Sequence, residues 1–323
     1  MKTFIVIPAH NRKNITRFCL RNLYSTGVLE HTSIVVVDDG SKDGTSEIIR
    51  NEFPEVILLH GDGSLYWTGA IEEGMRYAMN HGADCVVWLN DDSRVERGSI
   101  ERLAQVAIET GGIASALGYV DMHTIGKKWF FPALQKTPQG VEHQDVLPNT
   151  GLIRTDSFRG NLVAVSRNVV DRIGYPSGRS IPHVAGDSDY GLRASAAGVP
   201  CHLVTDVLLE ELSTVRADNQ SWLLGEIPML RLWKDIFSKR SSFYPPMRWI
   251  YLGRHWGWRG LRQFPLPYLK LAAITLIRLL IPRPLILSLY GGRSYAWNTT
   301  AWSRSVTRDI LAGGGVPGTN KDQ

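Results

Sequence analysis

Three acidic groups stand far apart in this chain of 323 residues, and each follows or flanks an apolar run. The first is Asp38-Asp39-Gly40-Ser41, the second Asn90-Asp91-Asp92-Ser93, and the third opens Gly186-Asp187-Ser188-Asp189-Tyr190-Gly191-Leu192-Arg193. Strand ends of an open α/β sheet are where ligands bind. Three such groups point to one cleft that holds a cation, a phosphorylated donor and a proton acceptor.

Each group also has a plainer reading. In the first, one carboxylate could accept the N–H of a pyrimidine and the other a ribose hydroxyl, or the segment is a turn followed by a helix cap. In the second, Asp92 is the candidate metal ligand. Mg²⁺ and Mn²⁺ take oxygen ligands and join a few carboxylates to substrate phosphates, and a departing diphosphate needs its charge neutralised. The alternative is a cap on the next helix. In the third, Asp187 is the candidate general base for an acceptor hydroxyl, though a carboxylate at a helix mouth is also a good cap. Asp189 and Arg193 are spaced i, i+4 and can pair on one helix face.

Gly61-Asp62-Gly63-Ser64-Leu65-Tyr66-Trp67-Thr68-Gly69-Ala70 reads as a flexible stretch entering a helix. Its helix mouth, near Gly69, suits a phosphate or sugar oxygen, and Trp67 could stack on a sugar face; a plain loop with one anchoring aromatic is the other reading. No dinucleotide fingerprint follows the first strand, where Pro8-Ala9-His10-Asn11-Arg12 stands instead. Arg12 could contact a phosphate or base, or lie in solvent. His10, His60, His183 and His202 lack close metal-ligand spacing.

The elements that must position these residues alternate. Apolar runs predict strands over residues 3–8, 33–38, 55–60 and 83–89, with a helix capped by Asn14 running to about Ser25 and another over 69–81. Such alternation predicts parallel strands with crossover helices. Residues 120–157, with Pro132, Pro138 and Pro148, read as a long loop or small hairpin over the site. Strands are expected over 160–165 and 201–207, flanking a helix over 187–198.

The length allows two units. From Pro228 onward there are 15 Lys/Arg and 3 Asp/Glu, a charge of +12, while the preceding residues hold 21 and 28, a charge of −7. A basic tail rich in Trp249, Trp256 and Trp258 fits an anionic membrane surface. Residues 268–281 are apolar on nearly every side but short of the ~20 residues needed to span a bilayer. A helix lying in the interface, one packed on the body, and a spanning or re-entrant helix stay open. Cys19, Cys85 and Cys201 make neither a disulfide framework nor a zinc set, which fits a reducing compartment. The opening Met1–Ile7 is too short for a secretory apolar region, so a cytoplasmic location is expected.

Taken together, Ile5-Val6-Ile7-Pro8-Ala9-His10-Asn11-Arg12, Val36-Val37-Asp38-Asp39-Gly40-Ser41, Trp88-Leu89-Asn90-Asp91-Asp92 and the segment from Asp187 to Gly198 resemble the family 2 glycosyltransferases. The stretches 61–70 and 187–193 resemble the rhamnosyl- and galactofuranosyltransferase branch. The likeness covers about residues 3–212.

The resemblance implies a glycosyltransferase A fold: an α/β domain with a mostly parallel, Rossmann-like central sheet over residues 1–225, followed by a helical, basic, aromatic-rich extension over 226–323. It implies single displacement with inversion, Asp187 as base, and Mg²⁺ or Mn²⁺ at Asp92. Pro8, Ala9, Asn11, Arg12, Asp38, Asp39, Trp67, Gly69 and Asp91 would hold the donor, a dTDP- or UDP-sugar. Trp67, Asn161, Asp189 and Arg193 would shape the acceptor side, for a glycan or lipid-linked glycan. Two positions depart from the family pattern. Asn90 stands where many members have aspartate, and Glu211 stands where many carry a histidine, so Glu211 is only a candidate second metal ligand. The enzyme is expected at the inner face of the cell membrane, without a nucleic-acid partner. A sugar-binding member without activity and a nucleotidyltransferase are the rival readings; the glycine-rich, lysine-bearing loop of the latter is missing after the first strand.

Overall fold

The computed structural model describes residues 1–122, 127–212 and 228–290. Strands β1 (Thr3–Ala9), β2 (Thr32–Asp39), β3 (Ile57–Gly61) and β4 (Cys85–Leu89) alternate with helices α1 (Lys13–Thr26), α2 (Thr45–Glu52) and α3 (Tyr66–Asn80). They lie parallel in the order β3-β2-β1-β4. The continuous apolar runs follow from burial of both sheet faces. Ile5 and Ile7 pack with Leu20 and Leu23 on one side; Phe4 and Val6 pack with Ile71 and Met75 on the other.

The second half is mixed. The elements are β5 (Ser93–Val95), α4 (Ser99–Thr110), β6 (Ile113–Met122), β7 (Lys127–Phe130), β8 (Ala133–Thr137), β9 (Gly140–Gln144), β10 (Leu152–Thr155), β11 (Leu162–Ser166), α5 (Arg167–Ile173), α6 (Gly186–Ala196) and β12 (Cys201–Glu211). The main sheet continues β4-β11-β6-β12-β10, with β5 on β12 and β7 on β6. β11 runs antiparallel to β4 and β6, whereas β12 is parallel to β6. Since β11 is reversed, its first residues meet the C-terminal ends of β1, β2 and β4 at one edge, and the ends of β6 and β12 return to that edge. The sheet is therefore parallel in its first half and mixed in its second.

Several boundaries differ from expectation. α1 starts at Lys13 behind Arg12 and has no side-chain cap, so Asn14 lies within the helix. The backbone N–H of Lys13 goes instead to Asp43 Oδ2 at 2.9 Å. α3 begins at Tyr66 rather than Gly69. Residues 120–157, expected as a long loop or small hairpin, contain a separate two-stranded β8–β9 hairpin and, beyond that expectation, the end of β6, β7 and β10.

The basic extension forms α7 (Met229–Ile236), α8 (Pro245–Leu261), α9 (Leu266–Leu280) and α10 (Arg283–Tyr290). The boundary expected at 225 lies outside the described residues. Leu271 of α9 packs on Leu232 and Ile236 of α7, and Trp233 Nε1 donates to Thr275 Oγ1 at 3.1 Å. The other side of α9 leaves Leu276, Leu279 and Leu280 at 60, 72 and 80% exposure. No helix among the described residues is long and apolar enough to cross a membrane.

Candidate active site

The β1 and β2 ends are joined by polar contacts. Register places Pro8 opposite Val37 and Ala9 opposite Asp38. Asn11 sits at φ +51°, a left-handed conformation that asparagine tolerates. Its Oδ1 accepts from Lys42 N–H at 2.7 Å, and its own N–H donates to Ser41 Oγ at 2.8 Å. His10 Nδ1 lies 2.6 Å from the Asp39 carbonyl oxygen, which fixes the ring hydrogen on that nitrogen.

Asp38 and Asp39 are both buried at this edge. Asp38 accepts from Ser41 N–H at 3.1 Å and from the Ser46 hydroxyl. Asp39 accepts from Gly63 N–H at 2.8 Å and from Tyr66 N–H at 2.9 Å. The second carboxylate thus shapes the loop that leads into α3, a role the sequence did not disclose. Any ligand contact by either residue uses the lone pairs that remain.

At the end of β4, Arg12 bridges two carboxylates: Nη1 is 2.8 Å from Asp91 Oδ1 and Nη2 is 2.8 Å from Asp92 Oδ2. Asp91 also accepts from Thr16 Oγ1 at 3.0 Å. Burial pushes the Asp91 carboxyl up from the ordinary range; Arg12 opposes this and Asp92 adds to it. Asp91 therefore serves Arg12 and Thr16 from inside the fold rather than facing a donor. Asp92 differs, because its Oδ1 is buried without a hydrogen-bond partner. An orphaned carboxylate oxygen suits a cation. Among the described residues no three His, Cys, Asp or Glu side chains cluster as a ligand set. A cation here would rest on Asp92 and complete its shell with water and substrate phosphate, as Mg²⁺ commonly does.

A hydrogen-bonded chain crosses the edge. Trp67 Nε1 donates to Asn90 Oδ1 at 2.8 Å, Asn90 Nδ2 to Asn161 Oδ1 at 3.1 Å, and Asn161 Nδ2 to Glu211 Oε2 at 3.4 Å. Asn90 N–H also donates to the Asn161 carbonyl oxygen at 2.9 Å. Trp67, Asn161 and Glu211, expected at one site, are thus brought together, with Asn90 as the added link. A carboxamide at 90 both accepts from the indole and donates to Asn161; an ionised aspartate would only accept.

Asp187 stands beside this chain. Its Oδ2 accepts from Gly160 N–H at 2.8 Å, and its Oδ1 from Ser188 N–H at 2.7 Å. A Cβ on Gly160 would fall 2.6 Å from the Trp67 ring and 3.0 Å from Asp187 Cβ, so only glycine fits between them. α6 is pressed onto α3: a Cβ on Gly186 would lie 2.1 Å from Thr68 Oγ1, and Thr68 N–H donates to Pro182 O at 3.0 Å. Burial raises the Asp187 carboxyl above its ordinary value, against the Gly160 and Ser188 N–H groups and Arg159, which lower it.

Three expected contacts fall elsewhere. Gly69 lies inside the first turn of α3, where its N–H is taken by Leu65 O at 3.1 Å and the backbone of Gly178 passes over it; it is a packing position, not a helix mouth. Arg193 donates Nε to Asp189 Oδ2 at 3.1 Å, Nη1 to Ile173 O at 2.8 Å and Nη2 to Tyr175 O at 2.8 Å, so its fork is spent on the fold. Asp189 is 0% exposed. Arg254 Nη1 lies 2.7 Å from each of its oxygens, and His255 Nε2 lies 2.8 Å from Oδ1. Burial alone would raise the Asp189 carboxyl; the His255, Arg254 and Arg193 contacts outweigh it and hold it below the ordinary value. Neither Asp189 nor Arg193 faces an acceptor.

Comparison with known proteins bears on the fold and the family. A 111-residue stretch is 32% identical to an uncharacterised protein of Methanocaldococcus jannaschii, covering 33% of this chain and 42% of that relative's length. The solved structure of GalNAc-T7 with UDP, GalNAc and Mn²⁺ superposes with a TM-score of 0.59 at 14% identity, over 100% of this chain and 59% of that one. A mannosyltransferase from Pyrobaculum calidifontis, in complex with GDP-Man and Mn²⁺, gives 0.51 at 17% identity, over 96% and 85%. At such identities the likeness is one of fold, a mixed sheet flanked by helices in the glycosyltransferase A arrangement. The model for "Glycosyl transferase family 2" matches residues 4–169, from β1 into α5 and across every acidic group except that of Asp187. The chain belongs to glycosyl transferase family 2.

Proposed function

We propose that this glycosyltransferase inverts configuration, moving a rhamnose or galactose-type sugar from a dTDP- or UDP-sugar to a hydroxyl of a glycan acceptor. The observation that carries the reading is the pair of contacts at adjacent residues: Gly160 N–H holds Asp187, and Asn161 holds Asn90, two residues before Asp92. A base and a cation-binding carboxylate thereby flank one strand end. Asp187 takes the proton of the acceptor hydroxyl. That oxygen forms a bond to the anomeric carbon as the bond to the diphosphate breaks on the opposite face, and the electron pair leaves with the nucleoside diphosphate. Asp92 Oδ1, with Glu211 as a second candidate ligand, would hold a divalent ion, and that ion would supply neutralisation of the leaving group's charge. Asn11, Asp38 and Asp39 fix the loops around the nucleoside, and Arg12 places a positive charge beside its phosphates.

The acceptor is a lipid-linked glycan, presented at the cytoplasmic face of the membrane. The exposed leucines of α9, with Lys270 on the same helix, support this reading, since apolar area beside basic residues binds anionic bilayers. A thermal-shift panel of nucleotide sugars, with and without Mn²⁺, tests the donor side. Stabilisation by a dTDP- or UDP-sugar that requires the ion is the expected result; equal response to nucleoside triphosphates with release of pyrophosphate would replace the reading with nucleotidyl transfer.

A further inference from the structure

The hydrogen bonds from helix α8 to α6 fall on the two residues that follow the base, Ser188 and Asp189. Tyr251, Arg254 and His255 are spaced i, i+3, i+4 and so project from one face. Tyr251 Oη lies 2.8 Å from Ser188 Oγ, while Arg254 and His255 close on Asp189. A carboxylate with 0% exposure is costly unless it is paired and hydrogen-bonded. Arg193 cannot satisfy it alone, because its other two nitrogens serve Ile173 and Tyr175. The environment of Asp189 is therefore complete only when α8 is seated.

The same helix reaches the other walls on this side. Trp256 Nε1 donates to Thr137 O of β8 at 2.8 Å, and Arg254 Nη1 donates to Ser177 Oγ at 3.2 Å. By contrast, neither of the two large core clusters of the catalytic body contains a residue of α7 to α10. The sheet and its covering helices are packed without the extension. What α8 adds next to the base is polar: the Tyr251 contact to Ser188 and the Arg254 and His255 contacts to Asp189.

We propose that α8 is part of the transfer machinery: Tyr251, Arg254 and His255 are positioning residues that lock Ser188 and Asp189, and through them aim Asp187 at the acceptor hydroxyl. This rests on the transfer reading above. The basic extension then has two jobs at different places, a clamp on the base in α8 and an apolar face in α9. A small misplacement of a reacting group costs up to about 10²-fold in rate, so the clamp is expected to act on turnover rather than on donor affinity.

The test compares the full-length protein with Arg254→Gln, Arg254→Lys and Tyr251→Phe in two measurements. In hydrogen exchange, Arg254→Gln is expected to lose protection across residues 186–196 while β1 to β4 keep theirs. In transfer assays, Arg254→Gln is expected to lower kcat by about 10- to 100-fold with the KM of the nucleotide sugar nearly unchanged, and Tyr251→Phe to lower it less. Arg254→Lys should recover most of the rate, because a single nitrogen of Arg254 makes both contacts to Asp189. Unchanged exchange across 186–196 overturns the clamp even if no donor turns over. Full kcat in a folded Arg254→Gln protein overturns it in the active enzyme, and so does a failure of lysine to rescue. Absence of transfer from wild type with every nucleotide sugar sinks the transfer reading instead, and exchange still decides whether α8 holds α6.

Discussion

Gly160 and Asp187 are joined by a 2.8 Å hydrogen bond from backbone N–H to carboxylate, across 27 residues of chain. The bond ties the candidate base to the first turn of chain before β11, and the next residue, Asn161, is tied in turn to Asn90 and Glu211. The antiparallel setting of β11 makes this possible. Were it parallel to β4, residues 160 and 161 would lie at the opposite edge of the sheet.

Gly160→Ala should therefore damage the site directly. The added methyl meets the Trp67 ring at 2.6 Å and Asp187 Cβ at 3.0 Å. We expect a stability loss of about 1–3 kcal/mol and a fall in kcat of up to about 10²-fold, read by urea denaturation and transfer assay on the same preparation. A variant with wild-type kcat would show that the Trp67–Asp187 spacing does not matter.

The pH dependence has a fixed sign. Asp187 must be deprotonated to act as a base, and burial raises its carboxyl while Arg159 lowers it. The acid limb of kcat/KM, which reports the free enzyme, should lie above the ordinary aspartate value of about 3.9. Arg159→Gln should move it further up. A downward shift in that variant, measured over the acid limb, would contradict the assignment.

Asp189 should behave in the opposite way, and through stability. Its carboxyl lies below the ordinary value in the fold, so its contribution is present above the unfolded value of about 3.9 and is lost as pH falls through the folded one. Asp189→Asn leaves Arg193 and Arg254 facing a neutral group, and should cost about 3 kcal/mol at pH 7. Urea titrations should show the gap between variant and wild type closing below pH of about 4.

The metal reading rests on Asp92 Oδ1, which is buried without a partner. Asp92→Asn should weaken Mn²⁺-dependent nucleotide binding by about tenfold or more, seen by calorimetry with and without EDTA. Nucleotide binding that is equally insensitive to EDTA in both proteins would remove the ion from this site.

Much of the framework was legible because its physics is local. The runs around Ile5, Val35 and Val87 are apolar on both faces, which only a sheet covered on both sides explains. The acidic groups at the ends of those runs were legible for the same reason. The start of α3 was not, because Tyr66 at φ +56° is set by its N–H reaching Asp39, 27 residues away. A small hairpin within 120–157 was legible as one of two readings, but its strands β8 and β9 could not be placed, because Glu142, His143 and Gln144 are exposed and carry no alternating pattern. Spacing showed that Asp189 and Arg193 pair, but not that the pair turns inward. Arg254 and His255 lie more than sixty residues further along the chain. Their only sequence signal is the i, i+3, i+4 grouping with Tyr251 in an aromatic helix.

The most direct test of the whole account is Asp187→Asn, assayed for both transfer and nucleotide binding in Mn²⁺. Loss of a general base predicts a fall in transfer of about 10²- to 10⁴-fold, with the nucleoside diphosphate bound as tightly as by the wild type. Transfer within a few-fold of wild type would show that the proton leaves by another route and that the cleft does not work as described.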